Sequence, residues 1–171
     1  DVYKRQQLVR LYESTGDIEA AEKESRTLIT QEPKSASYHT LLADLLIRQE
    51  RAEKGALRPG PPLPRLPSAE ELLHRAIELD ADFVQARWSL GLLYAGQKRY
   101  GEAIAHFERI LLLTPTDFEL HRHLGNLYKR TENLEKADEH YGHYSLAERE
   151  QRMRHLAETS AEKQLKKFLG K

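Results

Sequence analysis

Residues 90–115 read LGLLYAGQKRYGEAIAHFERILLLTP, and the pattern in this stretch returns 34 residues later. The shared positions are Leu90, Gly91, Tyr94, Ala103 and Phe107, which recur as Leu124, Gly125, Tyr128, Ala137 and Tyr141. A fixed period of this length is the sequence signature of a repeat protein, in which each unit is one supersecondary structure stacked on the next. The chain is therefore predicted to be an array of repeats.

Two earlier copies extend the same pattern towards the N-terminus. They contain Leu8, Val9, Tyr12, Ala21 and Pro33 in one, and Leu42, Ala43, Leu46, Ala69 and Ala76 in the other. The spacing between Ala21 and Ala69 is 48 instead of 34, so one insertion of 14 residues accounts for the offset. The predicted units are about 2–35, 36–82, 83–116 and 117–149, with a proline-rich insertion at 51–67 and a tail at 150–171.

The spacing within a unit predicts two packed helices. Leu90, Gly91 and Tyr94 lie about one turn apart on one helical face, and Ala103 and Phe107 do the same on a second helix. No stretch alternates with period two, so an all-α fold without a sheet is predicted. Candidate helix starts are Asp17, Ser35 and Asn133 as N-caps, and Ser68-x-x-Glu71 and Thr116-x-x-Glu119 as capping boxes.

The sequence Leu-Gly-x-x-Tyr, followed by Ala, an aromatic residue and Pro at these spacings, resembles the tetratricopeptide repeat. The resemblance covers about residues 3–149 and is most complete at residues 90–115. It implies a right-handed superhelical solenoid of about four helical hairpins, with a C-terminal capping helix. It also implies a protein-interaction scaffold or adaptor, whose partner lies in a concave groove lined by the first helix of each hairpin.

Carried onto this sequence, the resemblance assigns groove positions to three of the units. They are Thr40, Asp44 and Arg48 in the second unit, Gln85, Trp88 and Leu92 in the third, and Arg122, Asn126, Lys129 and Arg130 in the fourth. Because the last set is basic, an acidic or carboxylate-ended peptide is the expected partner. Arg122 and Asn126 also resemble half of the clamp by which some tetratricopeptide domains hold a chaperone's C-terminal carboxylate. The rest of that clamp has no counterpart in the tail.

Two positions depart from the repeat pattern. Trp88 stands one residue after the position where the family often has tryptophan, so it either turns towards the groove or packs between hairpins. Ser25 stands where other units have Leu73, Phe107 and Tyr141, which predicts loose packing in the first hairpin.

Composition excludes several function classes. The 27 basic and 27 acidic residues give zero net charge, so the broad positive field of a nucleic-acid binder is absent and nucleic acid is not the expected partner. There is no cysteine, and no apolar run is long enough to span a membrane. No metal site is expected, since His140 and His143 share a helical face without a third ligand placed by the sequence. Lacking catalytic and phosphate-binding motifs, the chain is predicted to be non-enzymatic and to need no cofactor. These features leave its cellular compartment open.

The insertion and both ends support further hypotheses. Arg58-x-x-Pro61-x-x-Pro64 fits either an exposed spacer or a ligand for an SH3-type groove. Residues 1–6, DVYKRQ, resemble translated sequencing-adaptor DNA, which predicts a non-native extension and a native protein that continues upstream. The apolar stripe after Leu146 suits a capping helix, or alternatively a membrane-surface helix, which could be divided at Thr159-x-x-Glu162.

Two alternatives to a simple scaffold stay open. The chain could be the regulatory or substrate-docking segment of a larger enzyme, such as a metalloprotease or transferase, with its catalytic domain upstream. It could also self-associate, because the end of a repeat array exposes an apolar face.

Overall fold

The computed structural model describes residues 2–53 and 67–168, which form eight α-helices with no strand among them. In chain order the helices are α1 (Val2–Thr15), α2 (Ile18–Gln31), α3 (Ala36–Glu53), α4 (Ala69–Leu79), α5 (Val84–Gly96), α6 (Tyr100–Leu113), α7 (Phe118–Arg130) and α8 (Leu134–Phe168). The predicted all-α class is confirmed. The start of the predicted insertion is helical, since α3 continues to Glu53, whereas the motif Arg58-x-x-Pro61-x-x-Pro64 lies outside the described residues.

The chain divides into two compact units, Asp1–Leu113 and Thr114–Lys171. The first contains the hairpins α1–α2, α3–α4 and α5–α6, and the second contains the hairpin α7–α8. Within the first unit, α2 packs against α3 and α4 packs against α5. The second helix of one hairpin therefore covers the first helix of the next, as expected for stacked repeats.

Two glycines allow the helices of a hairpin to approach closely. A Cβ atom placed on Gly91 would lie 2.7 Å from the ring of Phe107, and one on Gly125 would lie 2.7 Å from the ring of Tyr141. Both distances are too short for real carbon atoms. In the third and fourth units, the absence of a side chain at this glycine thus leaves room for an aromatic ring of the second helix.

The first two hairpins fill the same position with different side chains. Ala43 stands at the glycine position opposite Leu73, and Val9 stands there opposite Ser25, and all four residues are buried. The Ser25 hydroxyl donates a hydrogen bond to the Ala21 carbonyl oxygen at 2.8 Å. A larger residue on the first helix thus compensates for a smaller one on the second. The prediction of loose packing around Ser25 is wrong, because it considered only one side of the pair.

A polar cluster joins the second hairpin to the third. The Tyr94 hydroxyl donates to Glu70 at 3.0 Å, and Arg99 donates to the same carboxylate at 3.0 Å. The Arg99 guanidinium also lies 4.0 Å from the centre of the Tyr94 ring. Burial and the neighbouring Glu70 raise the pKa of Tyr94 to about 12. These contacts fasten α4 to α5, next to the apolar core.

Several helix starts agree with the cap predictions. Asp17 accepts a hydrogen bond from the Ala20 amide at 3.1 Å, Asn133 accepts one from the Lys136 amide at 3.3 Å, and Ser68 and Glu71 form a complete capping box. The start of α7 differs, since its N-cap is Asp117, which accepts from the Leu120 amide at 3.2 Å. The capping box predicted at Thr116 is therefore wrong. The next residue carries a carboxylate that favours the same position.

The C-terminal residues continue the last hairpin. Arg149 replaces the proline that ends earlier units, and α8 extends through it from Leu134 to Phe168 without a division at Thr159. At 35 residues α8 is about 52 Å long, whereas α7, with 13 residues, is about 20 Å long. The end of α8 therefore extends past α7. The segment predicted as a capping helix is part of α8 and not a separate element.

Candidate protein-binding surface

One face of α7 is apolar and buried, and the opposite face is polar. The buried face contains Leu120, Leu124 and Leu127. The polar face carries the four residues expected to bind a partner, Arg122, Asn126, Lys129 and Arg130, of which the last three are exposed and Arg122 is half-buried. Steps of three and four residues place Arg122, Asn126 and Lys129 on one side of the helix. Arg122, Asn126 and Lys129 therefore form one continuous surface on α7.

The side chains on that face differ in how firmly they are held. Arg122 donates to Glu119, one turn earlier, at 2.8 Å, and this bond raises the pKa of the guanidinium. The amide oxygen of Asn126 accepts a hydrogen bond from the Tyr141 hydroxyl at 2.8 Å, which leaves its amide nitrogen available to a partner. Because the side chains of Arg122 and Glu119 are 42% and 48% exposed, their ion pair is weak enough for a partner's carboxylate to replace Glu119.

In the first unit the predicted groove residues are divided between the core and the surface. Thr40 is completely buried, and its hydroxyl donates to the Ala36 carbonyl oxygen at 3.0 Å. Its assignment as a partner-binding residue is wrong, because its hydroxyl turns back to its own helix in the interior. Arg48 is exposed and donates to Glu13 of α1 at 3.0 Å.

Asp44 links the first helices of two successive hairpins. Its carboxylate accepts a hydrogen bond from the Ser89 hydroxyl of α5 at 2.7 Å. Burial raises the pKa of Asp44, and hydrogen bonds from Ser89 and Gln85 oppose that shift. Asp44 and Gln85 are therefore close together, as the groove prediction requires. Ser89 was missed, since no pattern in the sequence marks it as the partner of Asp44.

Trp88 lies against the interior of its own hairpin. Its ring meets Phe107 of α6 edge-on, with 5.2 Å between the ring centres, and the residue is half-buried. Leu92, also assigned to the groove, is half-buried on the same helix, whereas Gln85 is exposed. The contact with Phe107 shows that Trp88 packs within its hairpin. The remaining part of the side chain is exposed, and substitution of Trp88 tests whether it contacts a partner.

The sequence also missed a group of three histidines between α7 and α8. His121 of α7 lies 5.1 Å from His140 and 4.8 Å from His143, measured between ring centres. Spacing alone showed that His140 and His143 share a face, but not that His121 faces them. Across the described ranges, 2–53 and 67–168, no group of three or more His, Cys, Asp or Glu residues is arranged to hold a metal ion. Within those ranges, no helix combines the length and apolar character needed to cross a membrane.

Comparison with known proteins identifies the repeats. The tetratricopeptide repeat family matches residues 65–118, while none of the curated proteins matches the chain. A crystal structure of MamA is 18% identical, with a TM-score of 0.72 over 90% of this chain and 81% of that one. A second crystal structure of MamA is 20% identical, with a TM-score of 0.70 over 90% and 76%. MamA from Desulfovibrio magneticus RS-1, from residue 41 to its end, is 19% identical, with a TM-score of 0.69 over 88% and 77%.

Identities this low establish a shared fold and nothing about a shared partner. Proteins built from these repeats are generally non-enzymatic scaffolds for protein interactions. Residues 65–118 therefore match the tetratricopeptide repeat, and the chain shares the fold of MamA.

Proposed function

We propose that this chain is an interaction scaffold that binds a protein or peptide through the exposed faces of its first helices, in the groove that such helices line in this family. The polar face of α7 is the observation that carries the proposal. Arg122, Asn126, Lys129 and Arg130 lie there opposite the buried Leu120 and Leu124. Their side chains lie outside the buried face of α7, and we place recognition on this polar face.

The chemistry of that face favours an acidic peptide segment. Arg122, Lys129 and Arg130 supply positive charge, and the amide nitrogen of Asn126 supplies a neutral donor. Hydrogen bonds between such cations and carboxylates are roughly twice as strong as neutral ones. Considered by itself, the first unit also has exposed polar residues on first helices, Gln85 and Arg48, whereas the buried Thr40 is excluded.

A charge-reversal pulldown tests this proposal. The whole chain is compared with R122E/K129E/R130E, and bound proteins are identified by mass spectrometry. The matched control is K23E/K34E/R75E, which reverses three exposed charges outside the first helices. Arg75 suits the control because it pairs with Glu78 at 2.7 Å, as Arg122 pairs with Glu119. Partners that the control retains and the α7 variant loses are the expected result.

Equal losses in both variants would show that binding follows net charge, and the α7 surface would then be rejected. Retention of every partner by both variants would also reject it. Circular dichroism of each variant at neutral pH checks that the helices remain formed, so that a lost partner reports a lost surface.

A second copy of the chain is another candidate partner, because α1 exposes two leucines that are buried in the next repeat. Leu8 is 37% exposed and Leu11 is 54% exposed, whereas the equivalent Leu42 and Leu45 are 1% and 0% exposed. Exposed apolar surface of this kind favours association. Sedimentation velocity should show concentration-dependent association that L8S/L11S abolishes. A wild-type chain that stays monomeric at every concentration would rule it out.

A further inference from the structure

A network of three imidazole rings lies between the two helices of the second unit. The Nδ1 atoms of His121 and His140 are 2.8 Å apart, which is a hydrogen-bond distance. The ring centre of His143 lies 4.8 Å from that of His121. His140 also stacks on Tyr128 of α7, with 5.5 Å between ring centres and 7° between the planes. These rings join α7 to α8 beside the hydrogen bonds of Tyr141 with Asn126 and of Lys136 with Tyr128.

The bond between His121 and His140 exists in only some protonation states. One Nδ1 atom must carry a hydrogen and the other must accept it. If both rings become imidazolium, both Nδ1 atoms carry hydrogens and the acceptor is lost. Two positive charges then face each other at a distance suited to a hydrogen bond. The observed arrangement therefore tolerates at most one proton added to this pair.

The surroundings of His121, taken together, disfavour the addition of a proton to its ring. Burial lowers the pKa of His121, and His143 lowers it further. Asp117 before α7 and Glu139 on α8 act in the opposite direction, as does a hydrogen bond from the ring to the Pro115 carbonyl.

Other charged and titratable groups line or adjoin the cluster. The cleft beside His121 and His143 has a volume of about 580 Å³ and is also lined by Glu150 and Arg154, which pair with each other at 3.8 Å. On the other side, the Lys136 ammonium lies 4.9 Å from the centre of the Tyr128 ring. This lysine adds a positive charge near the ring on which His140 stacks.

We propose that the His121–His140 hydrogen bond, with His143 beside it, forms a pH-sensitive lock, which holds α7 on α8 near neutral pH and releases it at acidic pH. Because α7 carries the partner-binding face, opening the lock at acidic pH also disrupts that face. This second consequence rests on the proposed function, whereas the lock itself does not.

Hydrogen exchange of the whole chain, measured by mass spectrometry at about pH 7.5 and pH 5.5, tests the lock without any partner. After correction for intrinsic exchange rates, protection of α7 and the facing part of α8 should fall roughly tenfold per pH unit for each proton taken up on opening. Protection that does not change with pH would overturn the proposal.

The variant H121Q/H140F removes the titration and keeps the packing. Glutamine at 121 retains a donor for the Pro115 carbonyl, and phenylalanine at 140 retains a ring to stack on Tyr128. The loss of protection at acidic pH should disappear in this variant, and it should persist in the control H155Q. His155 is an exposed residue of α8 outside the cluster. An unchanged loss in H121Q/H140F would refute the lock.

A wild-type measurement keeps the proposal testable if that variant does not fold. Proton NMR titration should show the rings of His121 and His140 titrating in two separated steps, since the first added proton opposes the second. Simple independent titration of both rings near pH 6.5 would contradict the lock. Failure of the pulldown would leave both measurements interpretable, so the two proposals can fail separately.

Discussion

Lys98 and Glu132 have left-handed backbone conformations, with φ of 63° and 62°. They are 34 residues apart and occupy the same turn between the two helices of a repeat. Gly16, with φ of 78°, occupies that turn in the first repeat. An L-residue in this region costs roughly 1–2 kcal/mol compared with an ordinary conformation. The repeat geometry therefore favours glycine here, and two of these turns lack it.

Replacing Lys98 with glycine should stabilise the chain relative to K98A. The relief of strain is reduced by the greater freedom of glycine in the unfolded state, roughly 0.4–1 kcal/mol, which leaves a gain of about 0.5–1 kcal/mol. Urea denaturation of K98G and K98A measures the difference, and both lack the exposed Lys98 side chain. Equal stability of the two would show that this turn carries no strain.

Substitution of Trp88 distinguishes packing from recognition. Because its ring meets Phe107 edge-on and is half-buried, W88A should lose about 2 kcal/mol of stability, less than a fully buried tryptophan loses. L112A, at a position on α6 that is 74% exposed, serves as the control and should have near wild-type stability. If W88A kept its stability and lost partners in the pulldown, the groove assignment would be favoured over packing.

At the scale of the hairpin, facing positions are matched by size. Gly91 faces Phe107, and the equivalent residues of the preceding hairpin are Ala43 and Leu73. A methyl group on Gly91 would lie 2.7 Å from the Phe107 ring. G91A should therefore cost about 1–2 kcal/mol, despite the better helix propensity of alanine.

F107L should rescue G91A by recreating the pair found in the second hairpin. The double variant should be more stable than the sum of the two single effects by about 1–2 kcal/mol, measured as the coupling energy of a double-mutant cycle. G101A is the control, because a Cβ there would have no atom within 4 Å. A coupling energy near zero would mean that this pair is not matched by size.

The repeat pattern was sufficient to predict the helices and their pairing. The period of 34 and the caps at Asp17 and Ser68 depend on local spacing, which the sequence displays directly. The error at the start of α7 is also local. The cap was predicted at Thr116, whereas the neighbouring Asp117, which is equally suited to that role, is the observed N-cap. The caps at these three helix starts were therefore predicted to within one residue.

The candidate site was less predictable, because its contacts join residues that are distant in sequence. The hydrogen bond from Ser89 to Asp44 spans 45 residues, and the contact of His121 with His140 spans 19. Each depends on the rotation of one helix against another, which spacing within one helix does not determine. Thr40 was misassigned for the same reason, since only packing shows that it turns into the core.

At the scale of the whole molecule, each compact unit contains a buried or half-buried histidine with a lowered pKa. In the second unit these include His121 and His123, and in the first unit His106. Burial is the main cause of the shift at His106, and nearby Arg87 adds to it. The Nδ1 atom of His106 is buried without a hydrogen-bond partner in the structure. The equivalent position in the preceding hairpin is Leu72, which is apolar and buried.

Replacing His106 with leucine should therefore stabilise the first unit at neutral pH, by about 1–3 kcal/mol, because it removes an unsatisfied buried polar group. Urea unfolding followed by the fluorescence of Trp88, the single tryptophan, reports on this unit. H155Q, which alters an exposed histidine of the second unit, should leave the transition unchanged. A less stable H106L would mean that the ring contact with Tyr94, at 5.6 Å between centres, outweighs the unsatisfied nitrogen.

The lowered pKa of His106 also predicts how the stability of the first unit depends on pH. Because folding lowers the pKa of His106, the unfolded chain binds a proton more readily than the folded unit does. The contribution of His106 is thus fully favourable above the unfolded pKa of about 6.5, and it declines as the pH falls towards the lower folded value. Between about pH 7 and 5.5 the wild-type unit should lose stability, with a limit of tenfold in the unfolding constant per pH unit for this one proton. H106L should lose less over the same interval, and parallel pH profiles for the two chains would show that His106 does not control the acid sensitivity of the unit.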